Sequence, residues 1–158
     1  MTVAIREAGA DHFARLLAGA APEPGIALPT GEIAPADVLA MLADLAATIR
    51  PAFSPAAWMI LDGDRIVGLC SLVKTPEAGR LTIGYGIAPG EQGRGAATGA
   101  VAALLAWSRS DPRVAVVAAE SGKSNPASQR VLERNGFAVT GERFDEEDGD
   151  LLCWECTV

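Results

Sequence analysis

Six consecutive residues, Gln92-Gly93-Arg94-Gly95-Ala96-Ala97, carry little side-chain bulk and one fixed positive charge. Before them Leu81, Ile83, Tyr85 and Ile87 alternate with Thr82, Gly84 and Gly86, a period of two that predicts a strand. Pro89-Gly90 breaks it. After them GAATGAVAALLAW, uncharged and rich in Ala and Leu, predicts a helix. The first N–H groups of a helix have no intrahelical partner, and the macrodipole adds partial positive charge there. A helix start reached through glycines, with Arg94 beside it, suits a phosphate or pyrophosphate. Such turns also occur as plain tight connections. Two commoner phosphate motifs do not fit. The dinucleotide pattern Gly-x-Gly-x-x-Gly meets Thr98 where its last glycine belongs. Gly122-Lys123-Ser124 imitates the end of a P-loop, but the first glycine of that motif is replaced by Val117.

Other candidates for chemistry are sparse. Glu120 ends the apolar run Val114–Ala119; there it is a general base, an exposed strand-end carboxylate or a member of a structural ion pair. Ser128 follows Asn125-Pro126-Ala127 at a helix start and can either donate to a leaving group or assist the cap. Tyr85 is a third polar candidate, on a strand where an aromatic commonly belongs to the core. His12 lies beside the apolar face of a short helix, with no nucleophile and carboxylate around it. Cys153 and Cys156 form a C-x-x-C spacing, but in an alternating strand an odd offset puts the two sulfurs on opposite faces. With Cys70 and His12 alone remaining, neither a redox pair nor a zinc site is expected.

The 158 residues suffice for a single domain over 1–158 with a real core. No run is long enough to span a bilayer and no signal-peptide pattern opens the chain, so the expected location is the cytoplasm, without a membrane partner. A net charge of −7 argues against a nucleic-acid surface and is compatible with a cationic substrate.

The elements that position these residues follow in order. Val3–Arg6 is a short strand, and Ala10–Leu17 a helix with Phe13, Leu16 and Leu17 as its apolar face. Gly19–Pro35 is a loop, and a second helix from about Pro35 to Ile49 carries the stripe Val38, Leu42, Leu45, Ile49. Trp58–Leu61 and Arg65–Val73 form a hairpin around Asp62-Gly63-Asp64. The strand before the glycine turn comes next, then the helix Gly95–Ser108 and the buried strand Val114–Ala119. A helix capped by Asn125 with Pro126 in its first turn ends at Asn135-Gly136. Phe137–Phe144 and Asp150–Thr157 are closing strands joined by the acidic hairpin loop Asp145–Asp150. This mixture is an α/β domain. The apolar last strand would permit edge pairing in a homodimer.

NPASQRVLERNGF (Asn125–Phe137), following IGYGIAPGEQGRGAAT at this distance, resembles the GCN5-related N-acetyltransferases, in particular the branch of ribosomal-protein N-terminal acetyltransferases. The resemblance implies one mixed, twisted seven-stranded sheet with about four helices. It also implies central strands that splay apart to admit acetyl-CoA, the cosubstrate, with no metal. It assigns the pyrophosphate to Gln92, Gly93, Arg94, Gly95, Ala96 and Ala97, with a hydroxyl available from Thr98. It places Ile87 and Ala88 where backbone groups meet the cofactor, and Asn125 and Ser128 along the pantetheine arm and near the sulfur. Three positions depart from the pattern. Leu132 stands where many relatives carry a tyrosine acid, and Thr82 and Gly99 stand where this branch often has glutamates. The implied reaction is acetyl transfer to a primary amine, of a small molecule or a protein N-terminus. Glu120 and Ser128 are the catalytic candidates, and an acyl-CoA-binding module without turnover is the alternative. Acceptor choice would lie in Gly19–Pro55 and Asp145–Asp150, whose residues spell no acceptor.

Overall fold

The computed structural model describes residues 2–158. β1 (Val3–Glu7) leads into α1 (Ala10–Leu17) and, after a long loop, α2 (Ala36–Ile49). β2 (Ala57–Asp62), β3 (Arg65–Leu72) and β4 (Arg80–Ile87) form a meander. A 3-10 turn at Pro89–Glu91 precedes α3 (Ala96–Ser110), β5 (Val116–Gly122), α4 (Pro126–Arg134), β6 (Ala138–Asp145) and β7 (Gly149–Thr157). The strands make one sheet in the order β1-β2-β3-β4-β5-β7-β6. All neighbours are antiparallel except β4 and β5. This is the mixed seven-stranded α/β sheet with four helices that the motifs imply.

Local chemistry explains the joints. Gly63, at φ 60, is the first of the two residues between the paired Asp62 and Arg65, where a type II′ hairpin turn places glycine. The Gly19–Pro35 loop is anchored: Ala27 N–H donates to Asp64 O, Ile66 N–H donates to Ala27 O, and Ile26 is buried. β5 starts two residues later than its apolar run, because the N–H groups of Ala115 and Val116 both go to Gly79 O. α3 buries Ala96, Ala100, Val101, Leu104, Leu105 and Ser108, the recurrence of a helix lying on a sheet. At Gly99 the helix presses on β1: a Cβ there would stand 2.9 Å from Val3 Cβ. Trp107 of α3 meets Trp58 of β2 edge-on, with centroids 5.3 Å apart.

Three expectations are corrected. β7 is not an edge strand; it lies between β5 and β6, and the edges are β1 and β6. The buried side of α2 is Leu39, Ala46 and Ile49, while Val38 is exposed and Leu42 and Leu45 are partly buried. The rotation follows from where α1 lies against α2, a tertiary contact that helical periodicity cannot report. Leu17, the last residue of α1, is exposed for want of anything over it.

His12 is structural. Its Nδ1 accepts the Gly9 N–H at the start of α1, and its Nε2 stands 3.3 Å from Glu23. Cys70, Cys153 and Cys156 are free, and among the described residues no cluster of His, Cys, Asp and Glu could hold a metal. Among the described residues no helix is long and apolar enough to cross a membrane.

Candidate active site

β4 and β5 pair only from Arg80↔Val116 to Ile83↔Ala119. Beyond that β4 stays with β3 as far as Gly68↔Ile87, and β5 stays with β7 as far as Gly122↔Leu151. The two central strands therefore part. Val73 N–H donates to Thr82 O and Ala88 N–H to Val67 O, so the even-numbered residues of β4 direct their backbone groups to β3. By alternation the backbone groups of Tyr85 and Ile87 face the gap. Ile87 O accepts there from Gln92 Nε2 at 3.2 Å.

A cleft of about 660 Å³ opens from this gap along the starts of α3 and α4, past Ile87, Gln92, Gly93 and Thr98 on one side and Asn125 and Ser128 on the other. Gly93 and Gly95 both hold φ 80, the left-handed region that favours glycine. A Cβ on either would meet nothing within 4 Å, so the room lies in front of the turn. Gly99 N–H donates to Gly95 O. The N–H groups of Ala96, Ala97 and Thr98 precede that first helical bond and have no partner within the helix. All three residues line the cleft.

α4 starts as its residues predict. Asn125 Oδ1 accepts the Ser128 N–H at 3.2 Å, and Pro126 occupies the first turn. Gln129 Nε2 ties the helix to Gly122 O and Lys123 O. Lys123 pairs with Glu142 and the helix begins beyond it, so Gly122-Lys123-Ser124 builds no phosphate loop. Across the gap Tyr85 Oη and Ser128 Oγ are 3.0 Å apart. Burial pushes the Tyr85 phenol above its ordinary pKa, against the opposing effect of its hydrogen bond with Ser128.

Two cofactor-binding candidates stand elsewhere than expected. Ala88, the residue after β4, is fully buried behind the cleft wall, its N–H spent on Val67 O; the alternation of β4 carried one residue further turns that N–H to β3 and not to the gap. Arg94 turns its Nη2 to Glu91, at 2.8 Å, instead of lining the cleft.

Glu120 does not line the cleft either. It borders a second hollow of about 380 Å³ with Thr82, Gly84, Asp148 and Leu151. Side chains alternate along a strand, so Thr82 and Tyr85 point to opposite faces of the sheet, and the hollows flank the parted strands from two sides. Arg143 on β6 reaches over β7 and grips Glu120 with Nε and Nη2. Cys153 Sγ stands 3.7 Å from the same carboxylate. The Arg143 hydrogen bond holds the Glu120 carboxyl below the usual carboxylate range, and partial burial opposes it.

Sequence reasoning missed Glu91, Arg130 and Arg134. Arg130 and Arg134 are one helical turn apart on α4, border the cleft, and among the described residues form no salt bridge. Their i, i+4 spacing opposite buried Leu132 was the available signal. Glu91 gave none: an acid after Pro-Gly reads as an exposed turn, yet it is 2% exposed. Arg65 Nε at 2.9 Å and Arg94 Nη2 at 2.8 Å both donate to its Oε2. Loss of hydration pushes its carboxyl up; the hydrogen bond and charge of Arg65, the charge of Arg94 and the Thr30 N–H outweigh this and leave it lowered. Glu91 thus joins the β2–β3 hairpin, the Gly19–Pro35 loop and the glycine turn.

A carboxyl lowered in the folded state contributes stability that is complete above its unfolded pKa of about 4.3 and is lost as pH falls through the folded value. Glu91→Gln is therefore expected to lower the thermal midpoint at neutral pH, the deficit shrinking once pH drops below about 4. Thermal unfolding followed across pH reads this directly; a midpoint equal to the parent's at pH 7 would remove Glu91 from the framework.

A family profile described as an acetyltransferase (GNAT) domain matches residues 3–138. The chain belongs to the GNAT family. No curated protein matches it in sequence. Among solved structures it is similar to aminoglycoside acetyltransferase AAC(6')-Ib in complex with coenzyme A, with TM-score 0.69 and 19% identity over 99% of this chain and 95% of that one. It is also similar to RimL, a ribosomal L7/L12 alpha-N-protein acetyltransferase in complex with coenzyme A, with TM-score 0.73 and 16% identity over 100% and 95%. A spermidine N-acetyltransferase SpeG chimera from Vibrio cholerae and hSSAT gives TM-score 0.72 and 16% identity over 99% and 96%. At these identities the likeness is one of fold. Within the GNAT fold the departures acquire places. Leu132 is fully buried, so no hydroxyl enters the cleft from that position. Gly99 has no room for a glutamate because Val3 stands against it.

Proposed function

We propose that this GNAT chain transfers the acetyl group of acetyl-CoA to a primary amine, carried by a small molecule or by a protein N-terminus. The observation that carries the reading is the parting of β4 and β5 between two hollows. One hollow runs from three free helix N–H groups to the Tyr85–Ser128 pair, and the other holds the Glu120 carboxylate.

The residues present fit such a cosubstrate. Unpartnered N–H groups at the start of α3 suit a pyrophosphate, and the glycines leave space in front of them. Arg130 and Arg134 offer guanidinium groups to further phosphate oxygens. Asn125, its Oδ1 used in the cap, keeps its Nδ2 donors for an amide-bearing arm, and the backbone of Tyr85 and Ile87 faces the same space. The relatives solved with coenzyme A support the choice.

An alkylamine with pKa near ~10.4 is almost wholly protonated at neutral pH and attacks a thioester only when neutral. The second hollow, with Glu120 and Asp148 at its border, attracts the ammonium form, and Glu120 takes its proton directly or through water. Ser128 serves the departing sulfur as hydrogen-bond donor.

The test is acetyl-CoA-dependent release of free thiol with spermidine, kanamycin and a peptide bearing a free N-terminus. Coenzyme A and acetyl-CoA are each expected to raise the thermal midpoint, since a ligand that binds the native state stabilises it by mass action. An unchanged midpoint with both would end the cofactor reading. A raised midpoint without thiol release from any amine would leave a non-catalytic acyl-CoA-binding module.

A further inference from the structure

Among the described residues the Tyr85–Ser128 contact is the one polar bridge across the gap between the parted strand and α4 on the cleft side. Tyr85 sits two residues past Ile83, the last β4 residue paired with β5. Ser128 sits in the first turn of α4, fixed from behind by its own N–H on Asn125 Oδ1. The pair therefore marks the inner end of the cleft, with the glycine turn at the other.

We propose that Tyr85 is a positioning residue for the Ser128 hydroxyl: its phenol donates to Ser128 Oγ, which leaves the single Ser128 proton aimed at the sulfur of the acyl donor. The inference rests on the acetyl-transfer reading above and adds to it a residue and a hydrogen-bond direction. A serine hydroxyl has one proton and two lone pairs. Once an acceptor as strong as a thiolate develops in the cleft, the arrangement that satisfies both hydroxyls runs from phenol to serine to sulfur. A buried phenol keeps its proton at neutral pH and so stays a donor. A hydroxyl that accepts one hydrogen bond donates a stronger one. With Leu132 buried in the core, α4 supplies no phenol, and β4 supplies this one from the facing wall.

The step balances without a net change in either hydroxyl. The amine nitrogen forms the new bond to the acetyl carbon, the carbon–sulfur bond breaks, and its electron pair goes to sulfur. The Ser128 O–H stabilises that charge. An acceptor that enters as ammonium loses two protons through Glu120 and water: one passes to solvent before attack, and the other finally makes the free thiol.

The experiment is a double-mutant cycle read on the thiol itself. Coenzyme A is titrated into the parent protein, Tyr85→Phe, Ser128→Ala and the double variant, and the ionisation of the bound thiol is followed by its ultraviolet thiolate absorbance. In the parent the bound thiol is expected to ionise below the ordinary thiol value of about 8.5. Tyr85→Phe and Ser128→Ala should each move it up, and the double variant should match Ser128→Ala alone, because residues acting through one another are not additive. With whichever amine of the panel turns over, Tyr85→Phe should lower kcat about tenfold and leave KM for acetyl-CoA unchanged. Direct removal of an oxyanion donor costs ~10²–10³-fold, and Tyr85 acts one hydrogen bond further away. A Tyr85→Phe thiol that ionises at the parent's pH overturns the proposal. So does a Tyr85→Phe effect of equal size in the Ser128→Ala background, which would mark a packing role. Failure of coenzyme A to bind the parent at all overturns the acetyl-transfer reading, and the proposal with it.

Discussion

Gly95→Asp is expected to fold and to lose coenzyme A. Gly95 is the residue before α3, at φ 80 and ψ 11. Among side chains other than glycine, those of Asn and Asp tolerate this left-handed region best. No protein atom lies within 4 Å of the Cβ the substitution adds, so the fold has nothing to push aside. An aspartate there sets a carboxylate at the positive end of the α3 macrodipole. Beside it are the Ala97 and Thr98 N–H groups that the proposal gives to the pyrophosphate. The variant would place a negative charge where the proposed pyrophosphate would sit. Hydrogen bonds to charged groups contribute about 1.5–3 kcal/mol each, and about 1.4 kcal/mol is a tenfold change in affinity. Losing two of them predicts a drop of ~10²-fold or more. Calorimetric titration of coenzyme A into the folded variant reads it; affinity equal to the parent's would move the pyrophosphate elsewhere.

Glu120→Gln is expected to lower turnover at neutral pH by the ~10²–10⁴-fold typical of general-base assistance, with acetyl-CoA affinity nearly unchanged, because Glu120 borders the other hollow. The loss should shrink as pH rises towards the pKa of the amine, where free amine needs no base. The Arg143 grip adds a second signature. It holds the Glu120 carboxyl below the usual range, so the base form is complete at neutral pH and the acid limb of kcat/KM lies below the ordinary carboxylate range. Arg143→Ala removes the hydrogen bond that lowers it, the carboxyl rises, and the acid limb must move to higher pH. A Glu120→Gln protein with the parent's rate at every pH would take this residue out of the mechanism, leaving water and a pocket that selects the neutral amine.

Local signals were read well. The Gly63 hairpin, the Asn125 cap, the glycine turn and the order of strands and helices all depend on neighbours within a few residues, which a sequence displays. What could not be read depends on the sheet. That β7 inserts between β5 and β6 is a pairing between distant segments, and it turned an expected edge into an interior strand. Arg143 meets Glu120 only because a long side chain crosses that inserted strand. Ala88 and Ile87 are adjacent in sequence yet opposite in role, since strand parity relative to β3 decides which of them faces the gap. Glu91 looks like a solvated turn residue until the hairpin and the long loop close over it from elsewhere in the chain.

The short seam between β4 and β5 gives the sheet a third border, lodged in its middle. Past Ile83 and Ala119 two interior strands run on as facing edges, each fully laddered on its outer side. Edges elsewhere in proteins are blunted by charge, proline or short length because they invite another chain to pair. These inner ones keep Gly84, Tyr85 and Gly86 beside the opening, and they are guarded by their setting: the gap is a few residues deep and opens into a cleft bordered by the starts of α3 and α4. Protection of backbone amides against solvent exchange must therefore fall along a single strand, high at Leu81 and Ile83 and low at Tyr85 and Ile87, with no loop between them. A molecule carrying its own amides can lie in that slot as a partial strand, while a folded neighbour cannot reach it.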